Sequence, residues 1–543
     1  MNKGAAYPSP DPLALPRKAG QWLALTGYSF VVLGPLAALL VVTLLEVLGG
    51  HSDWLELTVP VGRRLVLLGN SLGLAVAVTG IVMVQGFLAA VAIWSRAERA
   101  GVLLLWLVLP LVAIPSYIYA LTWLDLAGVL TGWARQLGLA SIGPFGWAGS
   151  LWVEVAALAP MALGFAWLGL RSVDPDLIEA GRIVRNDWIG LIRITLPLSA
   201  PALLTGAGLV FLLSLLDYSV PSLLQANVYP MEIFAEYSAT HSPGRAFLLA
   251  LPLVLPAASV TAGLLGPLRA MTVRTAMHRI RWASRPSWPG WFAGLQRVAC
   301  ALVGAEVLLP YAVLVIRAGS IQGLLSSVAQ AASEIRYSLL TATLAALMSL
   351  PVGIAMARRL LRPGAGTAFL WVGVLAPLAI PGSLVGIGLT YVANRLGLQS
   401  EGISLVLPAF AGLARFAPLA VLVLLAQLKR LDPLLFEAGR LFQASAFRRW
   451  LQIGIPLLAP GILASAGLVF ALTLGELAAT LMVAPPGQAT LTMRIYNYLH
   501  YGASGTVAGL CLVLAACVLM AGAGVAWVAA RWSWPVSAPG EGI

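Results

Sequence analysis

Four ionisable side chains stand out inside long apolar stretches of this sequence: Glu154, Asp217, Arg415 and Glu476. A charge at membrane depth costs several kcal/mol, and such residues mark pathways, relays or counter-ions. Asp217 and Glu476 each fall about 15 residues into their block, roughly 22 Å at the helical rise, and so in its outer half. Both are expected to face a central pathway near its outer end; alternatively, each closes a helix and bonds the neighbouring backbone. Arg415 and Glu154 lie in comparable blocks at unmatched positions. They are expected to be held in structural pairs with other polar groups, the alternative being that they pair with each other or line a cavity.

Other chemistries find little support. His51, His241, His278 and His500 are scattered, which gives no metal-ligand spacing. Cys300, Cys511 and Cys517 all sit in apolar stretches and read as small buried residues rather than a disulfide framework. Neither a metal nor a cofactor is expected. A phosphate-binding loop needs glycines followed by Lys and Ser or Thr, but Lys3, Lys18 and Lys429 are followed by Gly4, Ala19 and Arg430. Any ATP used with this chain is therefore expected to be hydrolysed by another one.

These residues need a membrane frame to hold them. The chain has 543 residues, 60% hydrophobic and only 10% charged, against about 25% charged in soluble domains. Apolar blocks near 22–48, 65–93, 101–123, 146–170, 202–224 and 246–268, then 297–317, 337–357, 367–392, 403–428, 461–484 and 505–530, predict about twelve spanning helices. Lipid satisfies no backbone polar group, so helices are required, and the alternation of a membrane barrel is missing. The fold class expected is an all-α polytopic membrane protein. The first block is too long for a signal-peptide core and is read as the first span.

The net charge of +12 does not imply a nucleic-acid partner, because the arginines lie between apolar blocks rather than in a basic domain. With the N-terminus inside, the cytoplasmic segments hold most of the 33 Lys and Arg residues. That bias places both termini in the cytoplasm. Trp22, Trp94, Trp123, Trp188 and Trp450 fall at block ends, as interfacial anchors do.

The chain also repeats itself. Residues 174–182, DPDLIEAGR, return as 432–440, DPLLFEAGR, with seven of nine positions identical. Pro197-Leu198-x-x-Pro201 matches Pro456-Leu457-x-x-Pro460, Ala207–Phe211 matches Ala466–Phe470, Ala159-Pro160 matches Ala417-Pro418, and Ser71-Leu72 matches Ser338-Leu339. An even number of spans per repeat makes the two halves parallel. The expected divisions are a tail over 1–21, a first transmembrane domain over 22–268, a cytoplasmic linker over 269–296, a second domain over 297–530 and a tail over 531–543.

The repeated segment lies between the fourth and fifth spans on the cytoplasmic side. Asp174 and Asp432 suit a helix N-cap, with Pro175 and Pro433 at the first helical position. Glu179–Arg182 and Glu437–Arg440 are spaced to pair on one face, and Pro197 and Pro456 are expected to close the segment. A single such helix is often an interfacial connector. Two matched copies suit a symmetric, dimeric partner.

At these residues the sequence resembles the integral-membrane permeases of ABC importers, whose signature loop reads Glu-Ala-Ala, three residues, Gly, nine residues, then Ile-x-Leu-Pro. The copies here are EAGRIVRNDWIGLIRITLP and EAGRLFQASAFRRWLQIGIP. Gly181 and Gly439 replace the third residue, Arg185 and Gln443 replace the signature glycine, and the first copy is one residue short. The resemblance implies that Glu179, Ala180, Gly181 and Arg182, with Glu437, Ala438, Gly439 and Arg440, form helices that couple to two copies of an ATPase subunit. It also implies a periplasmic or lipid-anchored substrate-binding protein at the outer face. The stretch GELAATL (475–481), with LPLVAIPSYIYAL (109–121) and APLAIPGSLVGIGL (376–389), resembles the fused ferric-iron permeases and their thiamine and phosphonate relatives. Ferric iron is the first expectation.

Two other classes fit less well. Two parallel six-helix halves also describe the major facilitator transporters, but the loop between spans two and three here is the short SRAERAG (95–101). A membrane transferase would need paired acids for a metal-pyrophosphate. Asp174 with Asp176 is the nearest approach, and its copy, Asp432 with Leu434, loses the pair.

Overall fold

The computed structural model describes residues 26–50, 52–95, 113–138, 145–184, 186–273, 286–362, 366–397, 405–431, 450–500 and 504–532, with isolated residues at 111, 143, 364, 445 and 448. All of its regular elements are helical. Among the described residues ten helices are long and apolar enough to cross a membrane, or eleven where one sharply bent pair is counted as a span. In the first half these elements are α1 (Thr26–Leu48), α2 (Arg63–Trp94), α3 (Ser116–Gln136), α4 (Gly146–Arg171), the short α5 (Pro175–Val184), α6 (Asp187–Leu216), α7 (Ser219–Leu223), α8 (Tyr229–Thr240) and α9 (Pro243–Met271). The second half comprises α10 (Gly290–Ala318), α11 (Ile321–Gln330), α12 (Ala332–Leu361), α13 (Thr367–Ala379), α14 (Gly382–Arg395), α15 (Val406–Arg430), α16 (Leu451–Leu474), α17 (Thr480–Val483), α18 (Leu491–His500) and α19 (Ser504–Trp532).

The span expected at 367–392 is not one helix. It breaks at Ile380-Pro381, and α13 and α14 meet at 101°. Pro381 cannot donate a backbone hydrogen bond, and an extended Ile380 turns the chain before Pro381 starts α14. The expected span 101–123 has Pro115 in the same place, directly before α3. Its residues 101–110 lie outside the described residues. Non-helical backbone at membrane depth survives only where protein covers it, and here Pro377, Ala379 and every residue from Gly382 to Leu389 are buried.

Each half is built on the same core. The most extensive packing is α2 against α4, with its counterpart α12 against α15, and α6 and α16 lean on these pairs. Gly86 on α2 shows how close the backbones come, since a Cβ there would sit 2.8 Å from the backbone of Ala162 and Leu163. Small residues at helix contacts allow that approach without a hydrophobic drive from water.

The two first helices cross over. α1 packs on α9 and on α14 of the second half, while α10 packs on α2, α3 and α4 of the first as well as on α19. Tyr28 on α1 donates to the Val374 carbonyl at 3.0 Å, and Gln85 on α2 donates to Glu306 on α10. A Cβ at Gly388 on α14 would lie 2.5 Å from the Pro35 carbonyl oxygen, and backbone does not yield as a side-chain tip would.

Gly388→Ala is therefore expected to destabilise by about 1–3 kcal/mol through overpacking. Gly304→Ala, with open space around it, serves as the control. Thermal unfolding in detergent checks this: equal midpoints for both variants would deny the close approach of α1 and α14.

Candidate functional site

The two carboxylates expected at matched depth sit at matched breaks. α6 ends at Leu216, and Asp217 follows in extended conformation. Its Oδ1 accepts from the Ser219 amide at 2.7 Å and the Ser219 hydroxyl at 2.7 Å, and its Oδ2 accepts from Ser116 Oγ at 2.7 Å. In the second half α16 ends at Leu474, and Glu476 Oε1 accepts from the Ala479 amide at 2.8 Å. Both acids thus satisfy backbone donors where a short helix begins, α7 or α17, as N-capping side chains do. They are not within continuous helices. The Tyr218 hydroxyl is in electrostatic range of Asp217, Glu476, Arg415 and Tyr496, so acids from both halves converge on one region.

The repeat is not kept in its charges. Glu154 on α4 is 1% exposed, and one of its oxygens accepts from Ser214 on α6. Its other oxygen, Oε1, has no hydrogen-bond partner. The equivalent pair in the second half is Gly412 and Thr473, with the threonine side chain filling the space a Cβ on Gly412 would take. Conversely, Arg415 stands where the first half has Ala157. Its guanidinium lies over Gly382 and forms an ion pair with Glu476. Ser116, which binds Asp217, occupies the place of Gly382 in the repeated Ala-Ile-Pro motif. Arg415 and Glu154 therefore do not pair with each other; each bonds within its own half.

Among the described residues, no cation pairs with Glu154 or Asp217. The sequence reading also missed Glu306, a third buried carboxylate, 1% exposed in α10. The rule that singled out Glu154 applies equally to it: an acid inside a long apolar block.

The serines matched by sequence carry matched bonds. Ser71 Oγ accepts from the Tyr229 amide at the start of α8 at 2.9 Å, and Ser338 Oγ accepts from the Leu491 amide at the start of α18 at 2.7 Å. The flanking ion pairs reverse sign, Arg63 with Glu232 and Glu334 with Arg494.

Between α4 and α6, α5 begins at Pro175, as its sequence requires, and Asp174 Oδ1 accepts from the Asp176 amide at 3.0 Å. The segment does not close at Pro197. Asn186 ends the connection by accepting from the Ile189 amide at 3.0 Å, and α6 runs through Pro197 after a π-helical stretch at Leu191–Thr195. A second such stretch at Trp450–Gly454 precedes Pro456. Arg182 bridges Glu179 at 3.1 Å and Asp187 at 2.7 Å, and its side chain is only 14% exposed. Arg182 thus turns towards the protein, beside the buried Ile178, whereas Leu177, Ala180 and Ile183 lie on the open side. Gly181 allows α5 to sit against Ile194. Glu437, Ala438, Gly439 and Arg440 lie outside the described residues.

Removing one partner of a buried ion pair strands the other charge. Arg415→Met is expected to destabilise by about 3–5 kcal/mol, and Arg415→Met combined with Glu476→Gln should recover most of the loss. Chemical denaturation of the two variants in detergent decides this; a double variant no better than the single one would show that the pair is not the cause.

Residues 349–534 match the family model described as binding-protein-dependent transport system inner membrane component. A permease protein of a molybdenum transport system from Haemophilus influenzae is 32% identical over 196 residues, which are 33% of this chain and 85% of that protein. Its counterpart from Mycobacterium tuberculosis is 29% identical over 271 residues, 45% of this chain and 93% of the relative. A permease protein described for 2-aminoethylphosphonate transport in Salmonella typhimurium is 32% identical over 146 residues, 26% of this chain. The chain spans about half, 54%, of that relative's length. A relative matched nearly in full by less than half of the chain corresponds to one copy of the internal repeat. The chain belongs to the family of binding-protein-dependent transport system inner membrane components.

Proposed function

We propose that this chain is the permease of an ATP-driven importer, with the translocation pathway lying between its two halves. Two copies of a separate ATPase would dock at α5 and at its repeat near 433–446, and a periplasmic or lipid-anchored binding protein would deliver substrate to the outer face. The observation that carries this reading is α5 itself. Leu177 is 51% and Ile183 87% exposed on a helix between two spans, while Arg182 is bound to Glu179 and Asp187. An apolar ridge on that side suits the cleft of a partner protein. No covalent chemistry is assigned to the chain.

For the substrate, the charge set favours a cation. In the region between the halves Arg415 is already neutralised by Glu476, which leaves Glu154 and Asp217 with hydroxyl and amide partners alone. Glu154 is enclosed, and Asp217, the more accessible of the two, would repel an oxyanion and attract a metal cation. Hard oxygen donors suit ferric iron, the first choice; thiamine, also cationic, is compatible with the same acids. The relatives' names favour a second reading, an oxyanion such as a phosphonate.

Two measurements test these readings. Leu177→Asp with Ile183→Asp should reduce ATPase recovered with the purified permease at least tenfold without changing its yield; full retention of the ATPase would remove α5 as the docking element. Uptake in proteoliposomes containing the whole complex should follow radioactive ferric iron and not 2-aminoethylphosphonate or molybdate. Uptake of either anion, undiminished by Glu154→Gln, would reverse the substrate assignment.

A further inference from the structure

The end of the inter-half linker is bolted to the first cytoplasmic helix. Asp187, the first residue of α6, is 11% exposed at its side chain and binds on both sides. Its Oδ1 accepts from Arg182 Nε on α5 at 2.7 Å. Its Oδ2 accepts from the Ser287 amide at 2.6 Å and the Ser287 hydroxyl at 3.1 Å. Ser287 lies just before α10, the first span of the second half. An aromatic cluster seals the same contact: Trp188 packs against Trp291 and Phe292 with ring centres 4.9 and 4.6 Å apart, and Trp288 against Phe292 at 5.5 Å. Pro286 and Trp288 close over Ile178, Arg182 and Trp94.

The second half lacks this acid. Asn186 caps the Ile189 amide, and Ser445 caps the Arg448 amide at the same spacing, which aligns Asp187 with Ala446. The carboxylate is thus found in the copy that meets the linker's end at Ser287.

We infer that residues 286–292 form a strap, with Asp187 as its positioning residue, that makes α5 and α10 move as one body. A push on α5 would then reach α10 directly, and through it α2, α3 and α4 of one half and α19 of the other. Charge-assisted hydrogen bonds to a nearly buried carboxylate are the strong kind, and an aromatic cluster resists shear because rings interdigitate rather than slide. The strap rests on the geometry alone; its coupling role rests on the importer reading.

The test has two arms. In the first, hydrogen exchange is read on the full-length permease alone in nanodiscs. Asp187→Asn is expected to speed exchange of the Ser287 amide at least tenfold, with Ser287→Ala, which keeps the backbone donor, in between. In the second, the complex with its co-purifying ATPase is assayed for substrate moved per ATP hydrolysed. That ratio should fall at least fivefold in Asp187→Asn while ATP turnover continues, and Asp187→Glu should restore part of it. Unchanged exchange overturns the strap. Faster exchange with an unchanged transport ratio overturns the coupling role. If no ATPase accompanies the wild-type chain, the importer reading and the coupling role both fall, and the exchange arm still decides the strap.

Discussion

A helix that breaks inside a bilayer releases backbone N–H groups that lipid cannot satisfy, and the way this chain meets that demand organises its interior. The breaks after α6 and α16 are closed by carboxylates, Asp217 on the Ser219 amide and Glu476 on the Ala479 amide. Those before α8 and α18 are closed by the hydroxyls of Ser71 and Ser338. Short helices can then exist at membrane depth, and the chain can turn between the halves without exposing bare backbone. Asp217 relies on amide and hydroxyl donors alone, whereas Glu476 adds the ion pair with Arg415.

The two halves inherited one plan and filled it with different charges. Where the first half sets Glu154 against Ser214, the second sets Gly412 against Thr473; where the second inserts Arg415 over Gly382, the first has Ala157 and Ser116. Each change is compensated locally, by a hydroxyl, by an ion pair, or by a glycine that makes room for a guanidinium. The result is a framework with two-fold symmetry and a set of buried charges without it. Two identical chains cannot produce that arrangement, whereas a fused pair can diverge one side at a time.

The membrane class, most of the spans and the repeat were legible in the sequence, because block length and recurrent motifs report directly on them. The prolines misled in both directions. Pro197 and Pro456 look like terminators, yet a preceding π-helical stretch lets each helix continue through them. Pro115 and Pro381, in the middle of apolar blocks, instead stand at the N-caps where helices begin. Which outcome occurs depends on whether neighbouring backbone can rebond, and that is set by tertiary packing. The partner of Arg415 was equally hidden. Glu476 lies 61 residues away and reaches it only because α15 and α16 pack side by side. The exchange of α1 and α10 between halves leaves no trace in composition at all.

That exchange determines how motion can spread. If each half folded only upon itself, a displacement at one cytoplasmic helix could be absorbed at the interface between halves. Here α10 belongs to the second half by sequence and packs largely on the first, and α1 reaches α14 in return. Packed cores transmit strain because they hold few voids into which it can relax. A helix tied to α5 at its cytoplasmic end and running along α2, α3 and α4 is therefore a stiff member rather than a tether. In the proposed importer the coupling of ATP to transport then needs no long-range wire, since the docking helix and the wall of the pathway are parts of one rigid piece.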